Sequence, residues 1–315
     1  MIGFLGTGHY LPKTLRTNAD WADMVETSDE WIVSRTGIHE RHLVSEGESN
    51  FTMSMEAAKL ALQRANVAPQ ELGMVICATL SGDHVCPTLA GEVIRALDIS
   101  CPAFDINAAC SGFLFATSVA LDMMKDKPVL VIATEMMSRV FDPADRATCV
   151  LFGDGSGAAV LGKQEDPSGI ISHYIMTYPD TKGSLTIPGI NHMQEGQLVP
   201  SYVEMNGQET YKFATRVLAK NIREALEKEG LTPEDVTWFV PHQANIRIVE
   251  TAAKLLKLPM ERFFTIIDHT GNTSCASVII ALDELQEQKG LNKGDIVVMT
   301  TFGGGLTAAT MIIRW

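Results

Sequence analysis

The sequence predicts an α/β protein made of two similar halves, and three observations predict it. First, residues 61–72 and 225–236 align without a gap, with Ala61-Leu62 on Ala225-Leu226 and Pro69 on Pro233, 164 residues on. Self-similarity of this kind marks a repeated structural unit. Second, each copy is followed by the same succession of patterns. An apolar strand-like run (74–78; 238–240) precedes a helical stretch (89–97; 247–256) and a second strand (103–106; 263–267). A small-residue turn with an apolar helix (111–124; 274–288) and a further strand (129–134; 296–301) complete it. Third, residues 113–124 are apolar on every side, as only a buried central helix would be. The halves are expected at 1–165 and 166–315, related by pseudo-symmetry, with equivalent loops facing each other.

The remaining elements follow in order. The first strand runs into Gly6-Thr7-Gly8, which lacks the third glycine of a dinucleotide loop. Short helices are expected over 18–25 and 29–34, carrying Trp21 and Trp31, and a solvated turn over 35–42. His39 and His42 in that turn have no third metal ligand near them in sequence. Residues 51–66 read as a helix. Phe152-Gly153-Asp154-Gly155 reads as a loop entering a strand. It has neither the lysine nor the following helix of a phosphate loop, so close backbone packing explains its glycines. Residues 180–203 are turn-rich and are expected to form a loop over the site.

Composition narrows the function. With 25 basic against 38 acidic residues the net charge is −13, which excludes a general nucleic-acid partner. An anionic partner would need a local basic patch. No run approaches the length of a membrane span. The amino terminus enters a strand without a basic leader, and the six cysteines have no framework spacing. These features predict a reduced, disulfide-free, cytoplasmic protein.

The candidate chemistry lies in the matched turns. Cys110 follows a short strand and stands at the head of the apolar helix, where free N–H groups and the helix dipole favour a thiolate. His242 falls just past the strand of the second half, at the edge where α/β folds build sites. Asn272 occupies the turn that pseudo-symmetry places opposite Cys110. In Gly303-Gly304-Gly305, three glycines after a strand permit an exposed N–H to approach a ligand closely, as an oxyanion hole requires.

These residues, with Thr27-Ser28-Asp29-Glu30-Trp31-Ile32, Arg35-Thr36-Gly37-Ile38, Phe152-Gly153-Asp154-Gly155, Pro241-His242-Gln243-Ala244-Asn245 and Gly271-Asn272-Thr273-Ser274, resemble the β-ketoacyl-acyl-carrier-protein synthase III family. These are the initiating condensing enzymes of type II fatty acid synthesis, within the thiolase superfamily. The resemblance covers essentially the whole chain. It implies a thiolase-like fold, two pseudo-symmetric halves in αβαβα layers, and a homodimer that needs no cofactor and no metal. It implies ping-pong chemistry on acyl-CoA and malonyl-acyl-carrier protein. Cys110 would carry the acyl group, and the N–H groups of Cys110 and Gly304 would hold the oxyanion. His242 and Asn272 would stabilise the enolate left by decarboxylation.

By the same resemblance Trp31 and Arg146 would flank the CoA adenine, and Thr27, Arg35 and Arg247 would also serve CoA. Gly207 and Asn245 would meet the pantetheine arm. Lys212, Arg247 and Lys254 would form the basic rim for the carrier protein. Met137, Phe152, Ile187, Met205 and Phe302 would line the acyl pocket. Cys86 would close that pocket across the dimer, at a position where the family often has phenylalanine, so a primer longer or wider than acetyl is expected.

Two other readings use the same residues. One is a Cys-His-Asn thioester hydrolase, which leaves Trp31 and the arginines unexplained. The other is a condensing enzyme of secondary metabolism with a different acceptor.

Overall fold

In the computed structural model, which describes residues 1–164, 167–189, 193–194 and 197–315, the sequence repeat is a repeat of sheets. β1 (Ile2–Tyr10), β2 (Met74–Ala78), β3 (Ala103–Ile106), β4 (Val129–Glu135) and β5 (Gly155–Lys163) form one sheet in the order β1-β5-β4-β2-β3. β6 (Gly169–Thr177), β7 (Trp238–Pro241), β8 (Ile296–Gly303) and β9 (Thr307–Arg314) form the other, in the order β7-β8-β9-β6. Read from β6, the second sheet repeats the first. The pairing senses repeat as well. β2–β4 and β7–β8 are parallel, and β4–β5, β8–β9, β1–β5 and β6–β9 are antiparallel. Every residue of β2 is buried, as expected of a strand covered on both faces.

Among the described residues seven helices have eight residues or more: α1 (Asp29–Thr36), α2 (Asn50–Ala65), α3 (Leu89–Ala96), α4 (Gly112–Met123), α5 (Gly207–Lys228), α6 (Ile246–Leu256) and α7 (Ser277–Lys289). α4 packs on β2 and β4 of one sheet and on β6 and β9 of the other; α7 likewise touches both sheets. This is why α4 is apolar on nearly every side up to its exposed end at Asp122, with Phe113 and Leu114 wholly buried. Truncating Phe113 to alanine would cost about 3–5 kcal/mol. α2 covers the outer face of the first sheet and α5 that of the second, giving five layers, αβαβα. Local signals set the ends: the Ser49 hydroxyl caps α2 by accepting the Thr52 N–H, and Asn66 stops it in the left-handed region at φ 52°.

Two expectations fail. Residues 263–267 do not form a strand: Phe263 makes one isolated bridge to Phe239, and Ile267–Thr270 is a helical turn. The Gln243 carboxamide takes up the main-chain groups a ladder would use. It donates to the Pro241 and Phe264 carbonyls and accepts the Ile266 N–H. Nor is 35–42 a solvated turn. Glu40–Leu43 is a strand paired with Thr14–Thr17. Arg41 is wholly buried, donating to the carbonyls of Arg16 and Val150 and to Asn18 Oδ1. Burial lowers its pKa to about 10. His42 in that strand shares a 2.6 Å hydrogen bond with the Pro12 carbonyl.

Gly153 does owe its identity to close packing, since a Cβ there would lie 2.2 Å from the Thr270 carbonyl oxygen. The division expected between 165 and 166 falls outside the described residues, as do 190–192 and 195–196 of the loop expected over 180–203. Among the described residues no helix is long and apolar enough to cross a membrane.

Candidate active site

The two central turns are built alike. Asn107 Oδ1 accepts the Ala109 N–H at 3.1 Å, and Asn272 Oδ1 accepts the Ser274 N–H at 2.8 Å. Each turn holds one residue in the left-handed region, Ala109 at φ 47° and Ser274 at φ 51°. A single helical turn then leads into the central helix, Ala109–Ser111 before α4 and Ser274–Ala276 before α7. Cys110 and Cys275 therefore occupy matching places, and both are buried.

Burial changes the expected state of Cys110. It pushes the thiol up to about 11, with the nearby Glu135 acting in the same direction and a hydrogen bond from Ser274 opposing them. Raising the thiol from 9.0 to about 11 corresponds to about 3 kcal/mol. A helix terminus supplies roughly 0.3–1 kcal/mol. The resting group is the thiol, not the thiolate that the helix terminus alone would favour.

His242 follows β7, its N–H bonded to the Thr300 carbonyl at 2.8 Å. Its Nδ1 meets Ser277 Oγ at 2.6 Å, and that oxygen already accepts the Gln243 N–H at 3.3 Å. Nδ1 is the acceptor within reach of the Ser277 hydroxyl proton among the described residues, and a proton given to Nδ1 places the ring proton on Nε2. Burial lowers the imidazole to about 3, so it is a neutral donor. The Phe302 ring stands edge-on to it with centroids 5.3 Å apart. Asn272, with its oxygen engaged by Ser274, has its NH₂ to offer.

Cys110, His242 and Asn272 line one cavity of about 140 Å³. Phe152, Met205, Phe302, Gly207 and Asn245 line it too. Gly303 rather than Gly304 appears in the wall, and a Cβ on Gly303 would stand 2.8 Å from the Cys110 nitrogen. Gly304 lies one residue on, buried against the Leu185 carbonyl. Leu151, Leu185, Thr210, Tyr211, Ala244 and Ile248 complete the wall, and apart from Ala244 they were not singled out from sequence. Leu185 belongs to the expected loop, in a strand pair of Leu185–Thr186 with Glu204–Met205.

Met137 and Ile187 are not in the wall; they belong to the apolar cluster that also holds Phe152. Cys86 is exposed and lines no part of its own chain's cavity. The role expected for it requires a second copy of the chain.

Cationic side chains lie on the elements that flank Asn245 of the wall. Asn245 Nδ2 donates to the Arg35 carbonyl at 3.0 Å. The Arg35 and Arg146 guanidiniums lie 5.0 and 4.9 Å from the Trp31 ring centre, and Arg146 also donates to the Glu26 carbonyl. The Thr27 hydroxyl is buried without a hydrogen-bond partner among the described residues. Lys212 on α5 stands across from Arg247 and Lys254 on α6, the two helices joined by a 3.0 Å Tyr211–Thr251 hydroxyl contact. Lys212 and Lys182 share Glu209. Arg216, four residues beyond Lys212 on the same helix, is also exposed.

Solved structures of the same layering define the class. A 3-oxoacyl-[acyl-carrier-protein] synthase III from Aquifex aeolicus VF5 superposes with a TM-score of 0.94 at 41% identity, covering 100% of both chains. The corresponding synthase from Thermus thermophilus superposes at 0.93 and 39%, over 99% of each. The chain is thus a thiolase-like acyltransferase.

Residues 104–179 match the family described as 3-oxoacyl-[acyl-carrier-protein (ACP)] synthase III, and residues 226–315 match its C-terminal part. A curated beta-ketoacyl-[acyl-carrier-protein] synthase III from Serratia proteamaculans is 43% identical over 315 residues, 99% of this chain and 98% of that one. The chain belongs to the β-ketoacyl-acyl-carrier-protein synthase III family.

Proposed function

We propose that this chain joins an acyl-CoA primer to malonyl-acyl-carrier protein, releasing CoA and CO₂ and forming 3-oxoacyl-acyl-carrier protein at the start of fatty acid synthesis. The observation that carries this reading is the meeting of Cys110, His242 and Asn272 on one cavity, with Arg35 bonded to Asn245 of its wall and two arginine guanidiniums at the Trp31 ring.

Cys110 sulfur attacks the thioester carbon, and the Cys110 and Gly304 N–H groups hold the oxyanion. CoA leaves along Gly207 and Asn245, its adenine end held at Trp31 and Arg146, with Thr27, Arg35 and Arg247 completing the nucleotide contacts. The malonyl thioester oxygen then sits between His242 Nε2–H and the Asn272 NH₂. Two neutral donors in a dry cavity stabilise the enolate as CO₂ departs, so no strong base is needed. The carbanion attacks the acyl carbon and expels Cys110.

The chemistry uses no metal and no cofactor beyond the two substrates. Lys212, Arg247 and Lys254 give an acidic carrier a local basic landing on a chain of net charge −13. The working form is a homodimer in the cytoplasm. The deciding assay supplies acyl-CoA with and without malonyl-carrier protein. Formation of the 3-oxoacyl product only with both supports the proposal. Continuous CoA release from acyl-CoA alone marks a hydrolase and contradicts it.

A further inference from the structure

The condensation steps above leave one buried group unused. Glu135 ends β4 with its side chain wholly enclosed between the two halves. One carboxylate oxygen accepts the Ser81 hydroxyl at 2.6 Å, the Thr79 hydroxyl at 3.2 Å and the Leu80 N–H at 3.1 Å. The other accepts the Ser274 hydroxyl at 3.2 Å and the Cys275 thiol at 3.1 Å. Ser274 Oγ in turn lies 3.6 Å from Cys110 Sγ. A continuous line therefore runs from Cys110 through Ser274 to Glu135.

All five partners are neutral; the single Ser274 proton points either to Cys110 Sγ or to Glu135, and in the second arrangement the Ser274 oxygen is free to accept the Cys110 thiol. No ion pair reaches the carboxylate among the described residues. The titratable groups facing it are Cys110 and Cys275. A carboxylate enclosed without a cation is costly, and such a group takes up a proton when one is within reach. Burial holds the Glu135 carboxyl above the usual range, and it also holds the Cys110 thiol up. The enclosure accommodates one negative charge, on either partner, far better than two.

We propose that Glu135, acting through Ser274, takes the Cys110 proton as acylation begins and returns it when condensation releases the sulfur. The Cys110 S–H and Ser274 O–H bonds break while new O–H bonds form on Ser274 and Glu135. The products are a thiolate and a carboxylic acid, and the net charge is unchanged. The thiolate pair forms the C–S bond of the acyl-enzyme. The departing CoA thiolate keeps its own pair and takes a proton from water. On condensation the C–S pair returns to Cys110, and the stored proton comes back along the same line. Glu135 is thus a positioning residue for the proton and never touches substrate. A carboxylate that kept its charge throughout would oppose the thiolate instead.

This rests on Cys110 being the nucleophile, but iodoacetamide reports on the thiol whether or not condensation occurs, so the two fail separately. Alkylation of the Cys110 peptide is followed by mass spectrometry in the parent, Glu135→Gln and Ser274→Ala. Ala109 holds the matching φ in the other half, so alanine suits position 274. A pair sharing one proton keeps a fixed thiolate fraction, so the parent rate is expected to be flat from about pH 6 to about pH 9. Both variants should rise about tenfold per pH unit, as a lone thiol does, and be at least about tenfold slower than the parent near pH 7. A parent rate that climbs about tenfold per unit overturns the proposal, whether or not the variants fold. So does faster alkylation of Glu135→Gln near pH 7, the sign expected if Glu135 only repels the thiolate. A role confined to holding the fold would leave the slopes of parent and variants alike, which also overturns it.

Discussion

Asn272 holds the backbone of Ser274: its side-chain oxygen accepts the Ser274 N–H at 2.8 Å and keeps that residue in the left-handed region. The same bond from Asn107 to Ala109 sets the turn that carries Cys110. One carboxamide therefore shapes the turn with its oxygen and leaves its NH₂ for the cavity. A lost transition-state donor costs on the order of 10² in rate or more. Asn272→Asp keeps the oxygen that holds the turn and loses the donor. It should acylate normally and condense at least about 10²-fold more slowly, measured as separate half-reactions. Asn272→Ala removes the oxygen that holds the turn as well as the donor, so Asn272→Asp is the variant that separates the two. Equal loss in both half-reactions of Asn272→Asp would refute the division.

His242 acts as a neutral donor. Its folded pKa, about 3, lies below the ordinary 6.5. The unfolded chain therefore binds a proton that the native state refuses, and the stability this group contributes is full above 6.5 and lost as pH falls toward 3. Across the range where enzymes are assayed the ring does not titrate. CO₂ release from malonyl-carrier protein by Cys110→Ala should be flat from about pH 5 to about pH 8. A limb near pH 6.5 that disappears in His242→Gln would show a titrating imidazole.

The carrier rim is tested by charge. Arg247 and Lys254 are exposed on α6, whereas Lys212 is partly neutralised through Glu209. Arg247→Glu should therefore raise the apparent KM for malonyl-carrier protein more than Lys212→Glu does, and flatten its dependence on salt. Because Arg247 is also assigned to CoA, the ratio of its effects on the two substrates is the quantity to compare. An unchanged carrier KM removes the patch.

Primer choice turns on Cys86. It is exposed in one chain, so any effect on the pocket comes through a second copy. Each methylene of primer accommodated there contributes about 0.8 kcal/mol, roughly fourfold in affinity. Comparing kcat/KM for acetyl-, butyryl-, isobutyryl- and octanoyl-CoA should favour a primer above acetyl, and Cys86→Phe should shift the order toward acetyl. A parent that prefers acetyl-CoA and is unmoved by Cys86→Phe would contradict this.

What was legible in the sequence was periodic or local. The two sheets follow from repeated strand and helix patterns, and the Cys110 and Asn272 turns from small residues before apolar helices. What was not legible depended on distant atoms. The strand expected at 263–267 is absent because the Gln243 side chain supplies its hydrogen bonds. Arg41 looks solvated in sequence and is buried because three distant acceptors meet it. The Cys110 thiol is set by burial, which no helix-terminus argument contains. Glu135 sits in an ordinary strand until Ser274 and Ser81 close around it.

The nucleophile is the centre of the account. Intact-protein mass spectrometry after incubation with acyl-CoA, with peptide mapping, should show one acyl group per chain on Cys110. Malonyl-carrier protein should discharge it as 3-oxoacyl product, and Cys110→Ser, folded by circular dichroism, should stay unlabelled. Label on another residue, or undiminished labelling of Cys110→Ser, would contradict it.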